Sequence, residues 1–340
     1  LFLLLPLGLF AQVDIFSDDT LKLKYANSIS VDDLQTYINV LANDSLEGRE
    51  TGKSGQKMAA NYIANFFKEI GIPPYKYNSY FQKFKVKTVK RYGRWKWDKN
   101  SVIEKMLNNN YIRGENIIGF IEGSDLKDEI IIITAHYDHL GIKDTLIYNG
   151  ADDNGSGTVA IMEIAQAFML AKKEGNGPRR SVLIMPVSGE EKGLLGSKYY
   201  TDNPVYPLEN TVANLNVDMI GRIDGYHDNP DYIYLIGSDR LSTELHQISE
   251  EVNDKYINLE LDYKYNDKDD PNRYYYRSDH YNFAKNNIPV IFYFNGVHAD
   301  YHKASDTIEK IHFPKIEKIS RYIFLTAWEL VNRDKRLKLN

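Results

Sequence analysis

The sequence contains no cysteine. That absence removes disulfides, thiolate nucleophiles, a lipid-modified amino-terminal cysteine and sulfur metal ligands together, so any metal must be held by nitrogen and oxygen. A basic excess is also lacking. The 42 lysines and arginines stand against 47 aspartates and glutamates, for a net charge of -5. Such a balance gives no electrostatic footprint for nucleic acid and no polybasic membrane patch. Nucleic acid is therefore not an expected partner. Beyond the first residues, no run is apolar enough for long enough to span a bilayer. Internal repeats and low-complexity tracts are absent too, which excludes solenoids and disordered linkers as the main architecture.

What is present is material for one large core: 340 residues, 43% apolar and 26% charged, with no composition shift that demands a second domain. LFLLLPLGLFA at 1–11 is an apolar run too short to cross a bilayer, and it ends in a small residue before Gln12. This reads as a signal peptide cleaved after Ala11, with export to the periplasm or the outside and no stable membrane insertion afterwards. Residues 12–29 read as a linker, and 30–336 as the domain.

Helical periodicity begins after Ser30, an N-cap followed by Asp32 and Asp33, with Leu34, Tyr37, Ile38 and Leu41 on one face. A short acidic loop, LEGRETG at 46–52, separates it from an amphipathic helix over 54–70 that Gly71 and Pro73–Pro74 stop. FQKFKVK at 81–87 alternates like a half-exposed strand, and 88–113, with Trp95 and Trp97, reads as a surface excursion. NIIGFIEG at 116–123 reads as the next strand. The run EIIIITAHYDH at 129–139 follows, continuous enough to be buried on both faces.

From here each apolar run ends in groups that bind hard or borderline metals. The first delivers His136 and Asp138, alternate residues that share one face of a strand. GADDNGSG at 150–157 is a tight turn into a helix over 158–172, where Asp152 or Asp153 is either a metal ligand or a plain helix cap. SVLIMPVSGEE at 181–191 ends in adjacent Glu190 and Glu191, which repel one another unless a cation lies between them. In NLNVDMIGR at 214–222 the lone acid Asp218 stands between Val217 and Met219 and needs a metal or strong donor if buried. YIYLIG at 232–237 and IPVIFYFNG at 288–296 are further strands, and DYHKASDT at 300–307 adds His302. The tyrosine-rich 261–280 stretch is a candidate pocket wall. A long helix over 311–333 closes the chain.

Ligands at strand ends converge at the carboxyl edge of an open α/β sheet. His136, Asp153, Glu191, Asp218 and His302 therefore read as a two-metal hydrolase site of nitrogen and oxygen donors. His139, His280 and His298 are read as hydrogen-bonding or packing residues.

The set HYD, GADDNGSG, SGEE, NVDMIG and DYH, in this order, resembles the M28 family of zinc peptidases, bacterial aminopeptidases with a co-catalytic zinc pair. The likeness includes LEGRETG and RSDHYNFAKNNIPVIFY at 277–293. It implies a three-layer α/β/α sandwich with a mixed, mostly parallel central sheet, in a compact member without an inserted protease-associated domain. One Zn2+ would lie on His136 and Asp218 and the other on Glu191 and His302, with Asp153 bridging. Asp153 is preferred to Asp152 because the family's bridging acid stands just before the Asn-Gly-Ser-Gly-like turn. Members often carry a cis peptide after that acid, here between Asp153 and Asn154. Glu190 matches the general base and Asp138 the carboxylate behind His136.

Two cations about 3.5–4 Å apart that share a water lower its pKa towards neutrality, and one of them polarises the scissile carbonyl. Glu190 would take the proton and return it to the leaving amine. Tyr301, or a donor such as Arg277 in the 277–280 stretch, would help the oxyanion. Asp279 or Asp269 would serve as an exposed acid for a free amine. The expected substrates are the N-termini of peptides or proteins. Two rivals are a glutaminyl cyclase-like enzyme of the same fold and an inactive peptidase-like binding module. GADDNGSG and YHKASDT look like the peptidases, and the full acid, base and ligand set speaks against decay.

Overall fold

The computed structural model describes residues 19–87 and 111–340. The leader at 1–11 and residues 88–110 of the surface excursion expected over 88–113 lie outside the described residues, and the rest of that stretch, 111–113, belongs to a strand instead. The helices are α1 (Asp19–Ala26), α2 (Val31–Leu41), α3 (Ser54–Glu69), α4 (Gly157–Lys173), α5 (Leu195–Asp202), α6 (Thr243–Val252), α7 (His280–Ala284) and α8 (Phe313–Asn332). The strands are β1 (Phe81–Lys87), β2 (Tyr111–Ile117), β3 (Gly119–Ile121), β4 (Leu126–His136), β5 (Gly141–Lys143), β6 (Leu146–Tyr148), β7 (Arg180–Val187), β8 (Thr211–Val217), β9 (Tyr232–Ile236), β10 (Glu260–Asp262) and β11 (Val290–Phe294).

Seven strands form one sheet in the order β10-β9-β11-β8-β4-β7-β3. Its pairs are parallel except β11 with β9 and β3 with β7. The sheet is thus mixed and mostly parallel. Successive side chains on a strand point to opposite faces, and β4 shows it directly. Ile131, Ile133 and Ala135 enter the large core with α1–α4, α6 and α8, whereas Ile130 and Ile132 enter a smaller core with Tyr200 of α5 and Phe283 of α7. Helices therefore cover both faces, and the architecture is an α/β/α sandwich. No helix among the described residues is long and apolar enough to cross a membrane.

Three readings from sequence change. The strand expected over 116–123 is broken, with β2 pairing with β1 in a separate two-stranded ribbon and β3 forming the edge of the main sheet. Gly119 explains the close approach there, since a Cβ would come within 2.5 Å of the Phe67 ring. The supposed linker is partly structural. Helix α1 buries Tyr25 and Ala26 in the main core, and the Tyr25 hydroxyl donates to Glu174 at 2.8 Å. DTLKLKYA has no apolar stripe at helical spacing, so its order comes from docking against α4 and α8. At the other end, the amide of Asn340 donates to Leu241 at 3.1 Å, which extends the packed unit past residue 336.

Helix signals otherwise translate into contacts. Ser30 caps α2 by accepting from the amide of Asp33 at 3.2 Å, and Leu34, Ile38 and Leu41 are buried. On α3 the buried face is Ala59, Ile63 and Phe67, while Met58 lies 41% exposed.

Candidate metal centre

Parallel strands β4, β7 and β8 end at the same edge of the sheet, and the predicted ligands follow those ends. His136 closes β4, Glu190 and Glu191 follow β7, and Asp218 follows β8. Asp153 lies in the turn before α4, and His302 in the loop after β11. His136 Nε2 is 3.2 Å from Asp218 Oδ1 and 3.4 Å from Asp153 Oδ1. On the far side, His302 Nε2 is 3.1 Å from Asp153 Oδ2 and 3.4 Å from Glu191 Oε2. Asp153 thus presents one oxygen to each group. Asp152 turns away, accepting from the amide of Gly221 at 2.6 Å and lying 3.2 Å from His298 Nε2.

The turn that aims Asp153 is tightly built. Gly150 has φ +53, and a Cβ there would meet the Asp153 carbonyl at 2.1 Å, so only glycine fits. The Asp153–Asn154 peptide is cis. Asn154 then ties the turn to the end of β8, accepting from the amides of Gly157 (2.9 Å) and Met219 (3.1 Å) and donating to the carbonyl of Val217 (2.8 Å).

Behind the donors lies a buried hydrogen-bond chain. Thr134 donates to Asn216 (2.7 Å), Asn216 to Ser278 (2.9 Å), and Ser278 to Asp218 Oδ2 (2.6 Å). His136 Nδ1 lies 3.1 Å from the main-chain carbonyl of Asp138 and 3.8 Å from its carboxylate. A donor at Nδ1 leaves Nε2 free to face Asp153 and Asp218. The Asp138 carboxylate instead accepts from Thr51 at 2.5 Å and from the amide of Glu190 at 3.3 Å.

Electrostatics follow from this crowding. Burial works against a charged His136, but Asp218, Asp153 and Glu190 outweigh it and hold the imidazole well above its ordinary pKa. The same field attracts any cation. Burial, reinforced by Glu191, Asp218 and Asp279, pushes the Glu190 carboxyl well up, while His136 opposes. Burial likewise pushes the Tyr301 hydroxyl up, helped by Asp153, Glu190 and Glu191, so it stays a donor.

His136, Asp153, Glu190, Glu191, Asp218 and His302 line a cavity of about 350 Å³ together with Tyr301, Arg277, Tyr274, Tyr276, Phe292, Phe294, Met219 and Val297. The tyrosine-rich 261–280 stretch therefore supplies part of its wall. Asp279 does not belong to it. The expectation of an exposed acid at the rim is overturned, because Asp279 is 0% exposed and accepts from Ser197, and burial raises its pKa to about 7. It stands just before α7, at the N-cap position, and its carboxylate faces Ser197 of α5 rather than the cavity. Asp269 lies outside the cavity as well.

Two donor groups emerge, His136–Asp153–Asp218 and His139–Asp153–Glu191. His139, read from sequence as a hydrogen-bonding or packing residue, is fully buried, with Nδ1 2.9 Å from Glu191 Oε1. Nothing in its spacing marked it, since it lies past the strand end where periodicity stops. Oδ2 of Asp153, Oε1 of Glu191 and both His139 ring nitrogens are buried without a hydrogen-bond partner of good geometry. Imidazole and carboxylate donors left unsatisfied around shared acids are what zinc requires, so these residues fit zinc.

Comparison with known proteins places this geometry. The sequence model of peptidase family M28 matches residues 116–327, more than half of the chain. Aminopeptidase YwaD of Bacillus subtilis is 26% identical over 234 residues, covering 66% of this chain and 46% of that protein. A probable glutamate carboxypeptidase, LAMP1 of Arabidopsis thaliana, is 37% identical over 114 residues, covering 33% of this chain and 16% of the relative. The chain thus spans less than half the length of either curated relative. The solved structure of the Legionella pneumophila LapA aminopeptidase superposes with a TM-score of 0.69 at 21% identity, covering 98% of this chain and 80% of that one. That likeness concerns the fold. With the family motifs at the strand ends and the family match across them, the chain belongs to peptidase family M28.

Proposed function

We propose that this protein is a zinc-dependent aminopeptidase that removes N-terminal residues from peptides. The observation that carries the reading is Asp153, whose two oxygens face two separate donor groups within one cavity that also holds a further acid, Glu190. His136 and Asp218 would hold one zinc, Glu191 and His302 the other, with Asp153 shared. Bound there, zinc supplies Lewis acidity, lowering the pKa of water and polarising a carbonyl.

The chain's own residues do the rest. Glu190 lines the cavity and is left out of both donor groups, so it is the acid placed to take a proton from the attacking water and pass it to the leaving amine. Asp138 holds the Glu190 amide and thereby the base's main chain. Tyr301 stays protonated on the same cavity wall and is available as a donor to a developing oxyanion. Phe292, Phe294, Met219 and Tyr274 give the wall an apolar, aromatic character suited to one apolar side chain. Export, supported by the composition of residues 1–11, belongs to the same proposal.

Arg277 on the cavity wall favours a second reading, in which a substrate carboxylate is bound and the chain trims C-termini. The test measures zinc content and hydrolysis of free, N-acetylated and C-terminally amidated peptides, before and after chelation. Two zinc ions with chelator-sensitive cleavage only where the amine is free support the aminopeptidase. Cleavage that ignores acetylation but needs a free carboxylate moves the chain to the second reading. Cyclisation of N-terminal glutamine without hydrolysis would overturn both.

A further inference from the structure

The second donor group holds one nitrogen more than the family motifs supply. His139 is 0% exposed, with Nδ1 2.9 Å from Glu191 Oε1 and 3.8 Å from Asp153 Oδ2. Two donors bound to one zinc at about 2 Å each lie roughly 3.3 Å apart in a tetrahedron, so both separations bracket that of co-ligands. A hydrogen bond does not account for the ring. Neither of its nitrogens, nor the two carboxylate oxygens it faces, has a hydrogen-bond partner of good geometry. Leaving four such atoms buried and unmatched is costly, and one cation among them satisfies three at once.

The fold holds the ring in this position. The amide of His139 donates to the Arg49 carbonyl at 3.3 Å, and the ring packs on Gly150, where a Cβ would come within 2.4 Å of it. His302 approaches the same two acids from another side, its ring at 65° to that of His139 with centroids 6.0 Å apart. Two imidazoles thus converge on Asp153 and Glu191, whereas His136 alone serves Asp153 and Asp218.

We propose that His139 is a direct ligand of the second ion, making the two sites unequal: one imidazole at the first and two at the second. The proposal rests on the two-ion reading above. Imidazole favours zinc and its neighbours over hard cations, so the second site should keep zinc while the first exchanges.

The test uses the full chain with its histidine ring nitrogens enriched in the spin-half isotope, loaded with a spin-half isotope of cadmium and followed by nuclear magnetic resonance. A one-bond splitting appears only on a ring nitrogen bonded to the metal. Three split histidines, one of them lost in His139→Phe, support the proposal. The phenyl ring keeps the packing on Gly150 and offers no donor. In zinc titrations His139→Phe should lose at least about 100-fold affinity at one site and none at the other, beyond the 10–100-fold typical of an outer-sphere partner. Two split histidines in a protein that binds two ions would overturn the proposal and leave the two-ion reading standing. Fewer than two bound ions would overturn that reading and this proposal with it.

Discussion

The main-chain N–H of Asp153 donates to Oδ2 of Asp306 at 3.1 Å, across 153 residues of sequence. The amide of Asp152 donates to the same oxygen at 3.1 Å, and the carbonyl of Asp306 accepts from Ala151 at 3.2 Å. Asp306 therefore holds the whole turn that aims the shared carboxylate, and it does so from the loop that also carries His302. Asp306→Ala should weaken zinc binding by about 10–100-fold, the usual effect of losing a group that orients a ligand. Asp306→Asn keeps an oxygen able to accept from both amides and should lose less. Zinc titration of the two variants checks the order, and equal affinity in Asp306→Ala and the parent would remove Asp306 from the site.

Glu190 and Asp153 should separate chemistry from binding. Glu190→Gln removes a proton acceptor that neither donor group contains, so zinc content should stay at the parent level while kcat falls by about 100- to 10,000-fold. Asp153→Ala strips the carboxylate common to both groups and should lose metal and thermal stability together. Metal analysis beside steady-state kinetics distinguishes them. Equal metal loss in both variants would contradict the assignment of Glu190 as the base.

The sheet and the gathering of the candidate donor residues were legible because they depend on local pattern. An uninterrupted apolar run such as IIIIT needs burial on both faces, and acids or histidines just past such runs must gather at one edge once the strands lie parallel. Ser30 was readable as a cap for the same local reason. What stayed hidden depends on contacts between distant segments. Helix α1 has no stripe of its own, Asp279 is buried with its carboxylate facing Ser197 of α5, and the chain from Thr134 through Asn216 and Ser278 to Asp218 joins three separate stretches. His139 belongs with these, since its role depends on where Glu191 arrives.

Arg49 supplies a third prediction. This guanidinium is 1% exposed and donates to the carbonyls of Tyr137 (2.7 Å), Asn149 (2.7 Å), Gly150 (3.0 Å) and Leu41. It joins the end of α2, the segment after His136 and the turn before Asp153. Hydrogen bonds to a charged group contribute about 1.5–3 kcal/mol each, and the carbonyls of Leu41, Tyr137 and Asn149 would lose this donor while that of Gly150 keeps the amide of Gly155 at 3.1 Å, so Arg49→Met should destabilise the fold by at least about 3 kcal/mol. Arg49→Lys cannot span the same fork and should also lose stability, by less. Urea unfolding measures both, and a loss below about 1 kcal/mol in Arg49→Met would mean the carbonyls find other partners.

Glu163 gives a pH dependence away from the metal centre. It lies on α4, is 1% exposed, and accepts from the amide of Ser30 at 3.0 Å. Burial raises its pKa from 4.5 to about 8, against the Ser30 hydrogen bond and with help from Asp33 and Glu317. The folded chain thus keeps a proton that the unfolded chain releases above 4.5. The stability this contributes is complete below 4.5 and is lost as pH rises through about 8. Glu163→Gln retains an oxygen for Ser30 and stays uncharged, so its Tm should not carry this decline. The variant's Tm minus the parent's should grow from about pH 5 to about pH 8 and level off above. Thermal unfolding across that range reads the difference directly. A constant offset would show that Glu163 ionises alike in the folded and unfolded chains.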